Sequence, residues 1–367
     1  MKKKILFIFS LLINGIVFAQ TSTSSSTGQN KFVILGDAEA KYTATKGESG
    51  FGDINFKPIF LWRISDKLFI EAEVEIETGE GEVDVGLEYA NMCYMVNPYL
   101  ILHAGRFLPK FGAYRGRMGE AFINRFANDP TGFGDGGIGA MNETGVGAIG
   151  AIPVGDVKLN YDLYVSNGPQ LLTDPESAGQ FEYEAYTTNN KSSAIGGRIA
   201  ILPFANSSLE IGYSFQNKSK TGDAGTPYEK IGVNMQAVDL NYFHNITGIK
   251  STIRFTGEFK YQKTDNATYI KEDGTTPFTF KNVSTAYYEC ASIRPSLADN
   301  KIVRNFELAE RYSFFNRPTN APWGGSNVSQ LEMALDYWLH WNSVVKFCYF
   351  KQREEPSAFS AQVVFGF

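Results

Sequence analysis

Two stretches carry the residues most able to do chemistry. From Gly105 to Gly145 the chain reads GRFLPKFGAYRGRMGEAFINRFANDPTGFGDGGIGAMNETG, and its middle, 108–141, holds Lys110, Arg115, Arg117 and Arg125 against Glu120, Asp129 and Asp135. Upstream, Glu71, Glu73, Glu75 and Glu77 occupy every second position, followed by Glu82, Asp84 and Glu88. The chemistry of such sets is electrostatic. Guanidinium groups grip oxyanions bidentately, and carboxylates crowded in a low-dielectric enclosure attract cations and repel anions. Covalent and metal chemistry have little to work with. The 3 histidines (His103, His244, His340) and 3 cysteines (Cys93, Cys290, Cys348) stand singly, giving neither a Ser-His-Asp set nor a paired-cysteine metal pattern. No catalytic residue, metal ligand or cofactor site is expected, and a net charge of −5 gives no footprint for nucleic acid.

The glutamates alternate with Ile70, Ala72, Val74 and Ile76, the mark of a strand with two unlike faces. The same period runs through Ile249 to Gln262 and Leu331 to Trp341. Sixteen such segments can be drawn, at about 32–42, 51–64, 67–78, 82–96, 98–107, 142–153, 156–166, 191–203, 207–217, 230–244, 248–262, 278–295, 301–314, 328–340, 342–351 and 358–367. Every second connection is tight, as at Ser65-Asp66, Asn97-Pro98, Val154-Gly155 and Leu297 to Asn300, whereas 108–141, 167–190, 218–229, 263–277 and 315–327 are long. An even strand count with short turns on one side and long loops on the other predicts an all-β fold, a transmembrane antiparallel β-barrel of about 16 strands, closed so that no edge is left unpaired. The 108–141 stretch becomes the third extracellular loop. Its aromatics, Phe111, Tyr114, Phe122, Phe126 and Phe133, argue for a folded loop, since a solvated linker has no use for them.

The ends agree with this class. Residues 1–19, with Lys2, Lys3 and Lys4 before a short apolar run, read as a signal peptide removed on export. Residues 20–31 read as a Ser/Thr-rich flexible lead-in, and 32–367 as the barrel, placed in the outer membrane of a Gram-negative cell. Phe359, Ala361, Val363, Phe365 and Phe367 share one face of the last strand, and a closing aromatic such as Phe367 fits recognition by the barrel assembly machinery. Trp62 and Trp341 suit an interfacial girdle against outer-membrane lipid. Segment 301–314 is irregular, because its apolar face also carries Arg304 and Glu310, the latter needing a cover such as a subunit contact.

GRFLPKFG (Gly105 to Gly112), ETGVGAIGAIP (Glu143 to Pro153), YVSNGP (Tyr164 to Pro169), ERYSFFNRP, LDYW and the closing QVVFGF resemble the phosphate-selective porin O and P family, in a Bacteroidetes-type version. The resemblance implies a homotrimer of sixteen-stranded barrels whose third loop folds inward to narrow a pore, passing small anions or other small solutes. In anion-selective members, lysines at the constriction and an arginine ladder guide phosphate. Here the constriction set Lys110, Arg115, Arg117, Glu120, Arg125, Asp129 and Asp135 carries one excess positive charge, and the lumen wall assigned by alternation includes Glu71, Glu73, Glu75 and Glu77 beside Arg106, Arg198 and Arg254. Lys250 and Arg311 are further candidates to neutralise the glutamates. The function expected is passive diffusion of small hydrophilic solutes or ions. The alternative is a non-conducting binding barrel; an enzyme is not expected.

Overall fold

The computed structural model describes residues 31–367, apart from 79–81, 135, 140 and 326; the expected signal peptide, the lead-in up to residue 30 and Asp135 lie outside the described residues. The strands are β1 (Lys31–Ala44), β2 (Ser49–Arg63), β3 (Leu68–Thr78), β4 (Val83–Asn97), β5 (Leu100–Phe107), β6 (Glu143–Val154), β7 (Val157–Ser166), β8 (Gln170–Leu171), β9 (Phe181–Glu182), β10 (Ala194–Leu202), β11 (Leu209–Lys218), β12 (Val233–Ile246), β13 (Ser251–Thr264), β14 (Thr268–Ile270), β15 (Pro277–Thr279), β16 (Val283–Arg294), β17 (Phe306–Asn316), β18 (Val328–His340), β19 (Ser343–Gln352) and β20 (Ala358–Gly366). Sixteen of them close a barrel in sequence order; β8–β9 and β14–β15 are small hairpins within its long connections. The seam runs antiparallel from Asp37↔Gly366 to Ala44↔Phe359. A five-residue helix, α1 (Tyr114–Met118), lies in the β5–β6 connection.

All sixteen expected segments are present, with ends displaced by a few residues. The starts of segments 278–295 and 301–314 move most, to Val283 and Phe306, and the second has a visible cause. Asn300 Oδ1 accepts from the amides of Ile302 (2.8 Å) and Val303 (3.2 Å), turning residues 303–305 into a 3₁₀ segment. This side-chain turn competes with the ladder, so β17 starts only at Phe306 and Arg304 is not on its outward face. Glu310 does stand outward, as does Glu289 on β16.

Alternation decides what each face meets. Outward positions carry exposed apolar side chains, such as Val146, Ile195, Ile199, Val238, Phe259, Leu308 and Leu335. Inward positions bury charge instead, including Arg198, Glu210, Asp239, Glu258, Lys260, Arg311, Glu332 and Lys346. This reverses the arrangement of a soluble domain and is the distribution expected of a barrel wall facing hydrocarbon.

At Gly36 on β1 the backbone adopts φ +141°, and a Cβ there would lie 2.0 Å from the carbonyl oxygen of Lys57. Gly36→Ala is expected to lower stability by roughly 1–3 kcal/mol. Gly86→Ala, where nothing lies within 4 Å, is expected to stay within about 0.5 kcal/mol of the parent. Urea unfolding midpoints of the refolded barrels, read by heat-modifiable gel mobility, compare the two.

Candidate functional site: a loop pinned inside the barrel

The β5–β6 connection turns into the lumen, and the wall there is shaped to receive it. Ala237, Ala286, Cys290, Ala309, Ala334 and Cys348 all point inward from β12 to β19 and are buried under the loop's Phe111, Tyr114, Phe126, Phe133 and Ile138. Small wall residues leave the volume that the loop's aromatics fill. Tyr114, Phe133 and Tyr288 meet edge to face, with centroids 4.9 to 5.8 Å apart.

Polar straps fix the register of this packing. Glu258 Oε2 accepts from the amides of Ala113 and Tyr114, both at 2.8 Å, and so holds the start of α1. Gly112 sits at φ +77°, where any Cβ would overlap that same carboxylate. Three wall cations serve loop carbonyls: Lys260 Nζ donates to Ile138 (2.9 Å), Arg311 Nη2 to Asn128 (2.6 Å), and Lys346 Nζ to Ala121 (2.7 Å). In the opposite sense, Arg117 donates to both oxygens of Glu210 (2.5 and 2.8 Å), Arg125 to Glu307 (2.5 Å) and Arg115 to Glu88 (3.2 Å). Burying such charges is unfavourable unless each finds a partner, and here loop and wall supply one another.

With the loop packed mainly against β11–β19, an open space remains between it and β1–β3, bordered also by residues of β17 to β20. A water-accessible space of about 740 Å³ is bounded by Glu39 and Lys41 of β1, Asn55 and Lys57 of β2, Glu77 of β3, and Arg115, Asn124 and Asp129 of the loop, with Arg317, Gln330, Gln352 and Gln362 beside them. Glu39 accepts from Asn55 (2.7 Å) and Gln362 (2.5 Å). Lys57 pairs with Glu75. Burial raises the pKa of Glu120 above the ordinary glutamate range, with Lys57 and Arg115 opposing the shift. Burial also holds Lys110 below the usual lysine range, against the pull of Asp162.

The constriction residues expected from sequence divide accordingly. Arg115 and Asp129 line the open space, Glu120 lies within the fields of Lys57 and Arg115, Arg117 and Arg125 act as straps, and Lys110 is half-buried with its ammonium near Gly116. Asp129 accepts from the Tyr114 hydroxyl at 2.7 Å. Glu71, Glu73, Glu75 and Glu77 face the lumen as alternation required: Glu71 accepts from Asn91 at 3.0 Å, and Glu73 is buried opposite Tyr89. The expected neutralising partners differ. Arg198 pairs with Asp239 and Glu210, Arg311 with Glu332 and Lys250 with Asp299, while Arg254 faces inward beside the Phe243 ring. None of these reaches the β3 glutamates.

Arg106 is not on the lumen wall. Its neighbours Gly105 and Phe107 take the inward positions, and its guanidinium lies under the β7–β10 connection, donating to the Glu184 carbonyl (3.0 Å) and stacking on Tyr186 (4.2 Å). A β-bulge between Glu73 and Val74 of β3 and the facing β4 opens carbonyls of Leu87 and Glu88 that the same guanidinium satisfies. Alternation alone could not separate these cases. The strap residues Glu258, Lys260, Glu307 and Lys346 were missed as site residues, although their inward parity, next to inward alanines on adjacent strands, is a signal that something packs there.

No protein-family model and no curated protein sequence matches this chain. Solved structures do share its fold. OmpF of Salmonella typhi in complex with daunomycin aligns at TM-score 0.58 and 13% identity, covering 92% of this chain and 98% of that one. The outer membrane channel DcaP of Acinetobacter baumannii aligns at TM-score 0.55 and 10% identity, covering 94% and 99%. An anion-selective porin from Comamonas acidovorans aligns at TM-score 0.52 and 13% identity, covering 92% and 100%. At these identities the likeness is one of fold.

Each charge-assisted hydrogen bond to Glu258 is worth about 1.5–3 kcal/mol. Glu258→Ala and Gly112→Leu are therefore expected to free the loop while leaving the barrel folded. Limited trypsin digestion of refolded protein should then cut after Arg115, Arg117 or Arg125, sites the parent protects.

Proposed function

We propose that this chain is an outer-membrane porin, a passive diffusion channel for small hydrophilic solutes, with a preference for cations. The observation that carries the reading is the combination of an apolar outer wall with a loop held to one side of a polar lumen. Solutes cross between the loop and β1–β3, and no chemical step or cofactor enters the mechanism. The motifs quoted above support a place beside the phosphate-selective porin O and P family, and a trimer fits that reading.

Charge preference follows from which groups are already paired. Arg115, Arg117 and Arg125 are each ion-paired, so their fields are largely cancelled. Among the described residues, Glu39, Glu71, Glu77 and Glu120 have no ion-pair partner; Glu39 and Glu77 line the open space, Glu71 lies on the inward parity of β3, and Glu120 adds its field beside Glu39. Phosphate entering that space meets an acidic wall, whereas a cation is concentrated by it.

Single-channel recording in a planar bilayer with a potassium chloride gradient is expected to show steps whose reversal potential favours potassium. Replacing Glu39, Glu77 and Glu120 by glutamine together should move the permeability ratio toward unity. Because burial raises its pKa, Glu120 loses its charge on acidification before an ordinary glutamate does. Part of the cation preference should thus fade at that higher pH, and Glu120→Gln should remove that part. Absence of conductance would return the reading to a non-conducting binding barrel.

A further inference from the structure

Through the middle of the strands the outward positions are apolar, aromatic, small or uncharged polar, and the charged outward residues Lys263, Lys351 and Arg106 stand at strand ends. Glu289 and Glu310 break this rule. Both are exposed near the middle of β16 and β17. Their sequence neighbours fix the side: Tyr288 packs inward on Tyr114 and Phe133, and Arg311 pairs inward with Glu332. In register, Glu289 lies opposite Gly257 and Tyr312, and Glu310 lies opposite Ala291 and Met333. The two residues are diagonal neighbours, their α-carbons roughly 7–8 Å apart by sheet geometry. Gly257 adds no side chain, so the surface dips beside Glu289. Neither carboxylate has a hydrogen-bond or ion-pair partner among the described residues.

We infer that this face of β13, β16 and β17 docks a different membrane-inserted protein, which projects a lysine or arginine between Glu289 and Glu310 at mid-depth. Ionised groups inside a bilayer are unfavourable and normally paired, and the missing partner here is a cation. A second copy of this chain does not supply it. A two-fold self-contact would bring four carboxylates together, and a head-to-tail contact would need an outward cation at mid-strand, which the described residues lack. A lipid amine stays in the headgroup layer, outside the roughly 30 Å hydrocarbon core. A transmembrane element does present a side chain at that depth, and Gly257 and Ala291 let its backbone approach closely. The inference rests on the membrane-spanning reading but not on conduction.

The test uses the full barrel in vesicles of zwitterionic lipid, with a fluorescent polyleucine helix carrying one central lysine as the probe. Energy transfer from a donor on the barrel reports binding. Two control helices carry leucine at the centre, or the lysine at one end. The central-lysine helix is expected to bind the parent barrel about tenfold more tightly than either control, and Glu289→Gln with Glu310→Gln should abolish the difference. These substitutions remove two charges from the outer wall, so folding should be retained, as heat-modifiable mobility would verify. Equal binding of all three helices, or undiminished binding by the glutamine variant, would overturn the inference. Equal preference for the end-placed lysine would assign the site to interfacial amines, and a change in the barrel's own oligomeric size on substitution would assign it to a second copy; either defeats the proposal. A chain that never inserts would instead defeat the membrane reading.

Discussion

Glu258, Lys260, Arg311 and Lys346 are charges on the inner wall of a β-barrel, each almost fully buried. Such groups are stable there only if their hydrogen-bonding capacity is met. Wall side chains meet part of it, Glu332 pairing with Arg311 and Glu258 lying 3.8 Å from Lys260, but the strands' own amides and carbonyls are committed to the ladder and cannot meet the rest. The connection between β5 and β6 does, offering backbone amides to Glu258 and carbonyls to Lys260, Arg311 and Lys346. The rest of the lumen follows from this mutual satisfaction. Inward alanines on β12, β16, β17 and β18 leave room for the loop's aromatics, and the glycine at 112 is required because its α-carbon lies against the Glu258 carboxylate.

Pinning the loop to one wall divides the interior into a packed half and a wet half. On the packed side, arginines and glutamates cancel one another, and the positive charges that suggest an anion channel are spent as structural straps. On the wet side, β1–β3 keep carboxylates held by neutral amides, as Asn55 and Gln362 hold Glu39. On the proposed reading, electrostatic preference is decided less by how many charges of each sign the lumen contains than by which of them the loop has already engaged.

The architecture was legible in the sequence because alternation, even strand count and loop rhythm are local signals that closure of a barrel must obey. The facing of Glu71 to Glu77 and of Arg254 followed directly from period-2 parity. Parity could not report pairing. Whether Arg198 meets Glu75 or Asp239 depends on strand register and on distance around the barrel, and the sequence pattern holds neither. Arg106 shows the same limit, since its outward place becomes clear only once Gly105 and Phe107 are seen facing in. The start of β17 was misjudged because the side chain of Asn300 captures two amides in a turn that hydrophobic pattern does not register.

The most direct measurement of the central claim, that the loop covers one wall and leaves the other open, is cysteine accessibility during conductance recording, with Cys93, Cys290 and Cys348 replaced by serine. A charged, membrane-impermeant thiol reagent should react quickly with Glu39→Cys and Glu77→Cys and change the current, while Ala286→Cys and Ala309→Cys stay unreactive in the cluster buried under the loop. Fast reaction at Ala286→Cys or Ala309→Cys, with Glu39→Cys and Glu77→Cys silent, would contradict the account and place the passage on the opposite side of the loop.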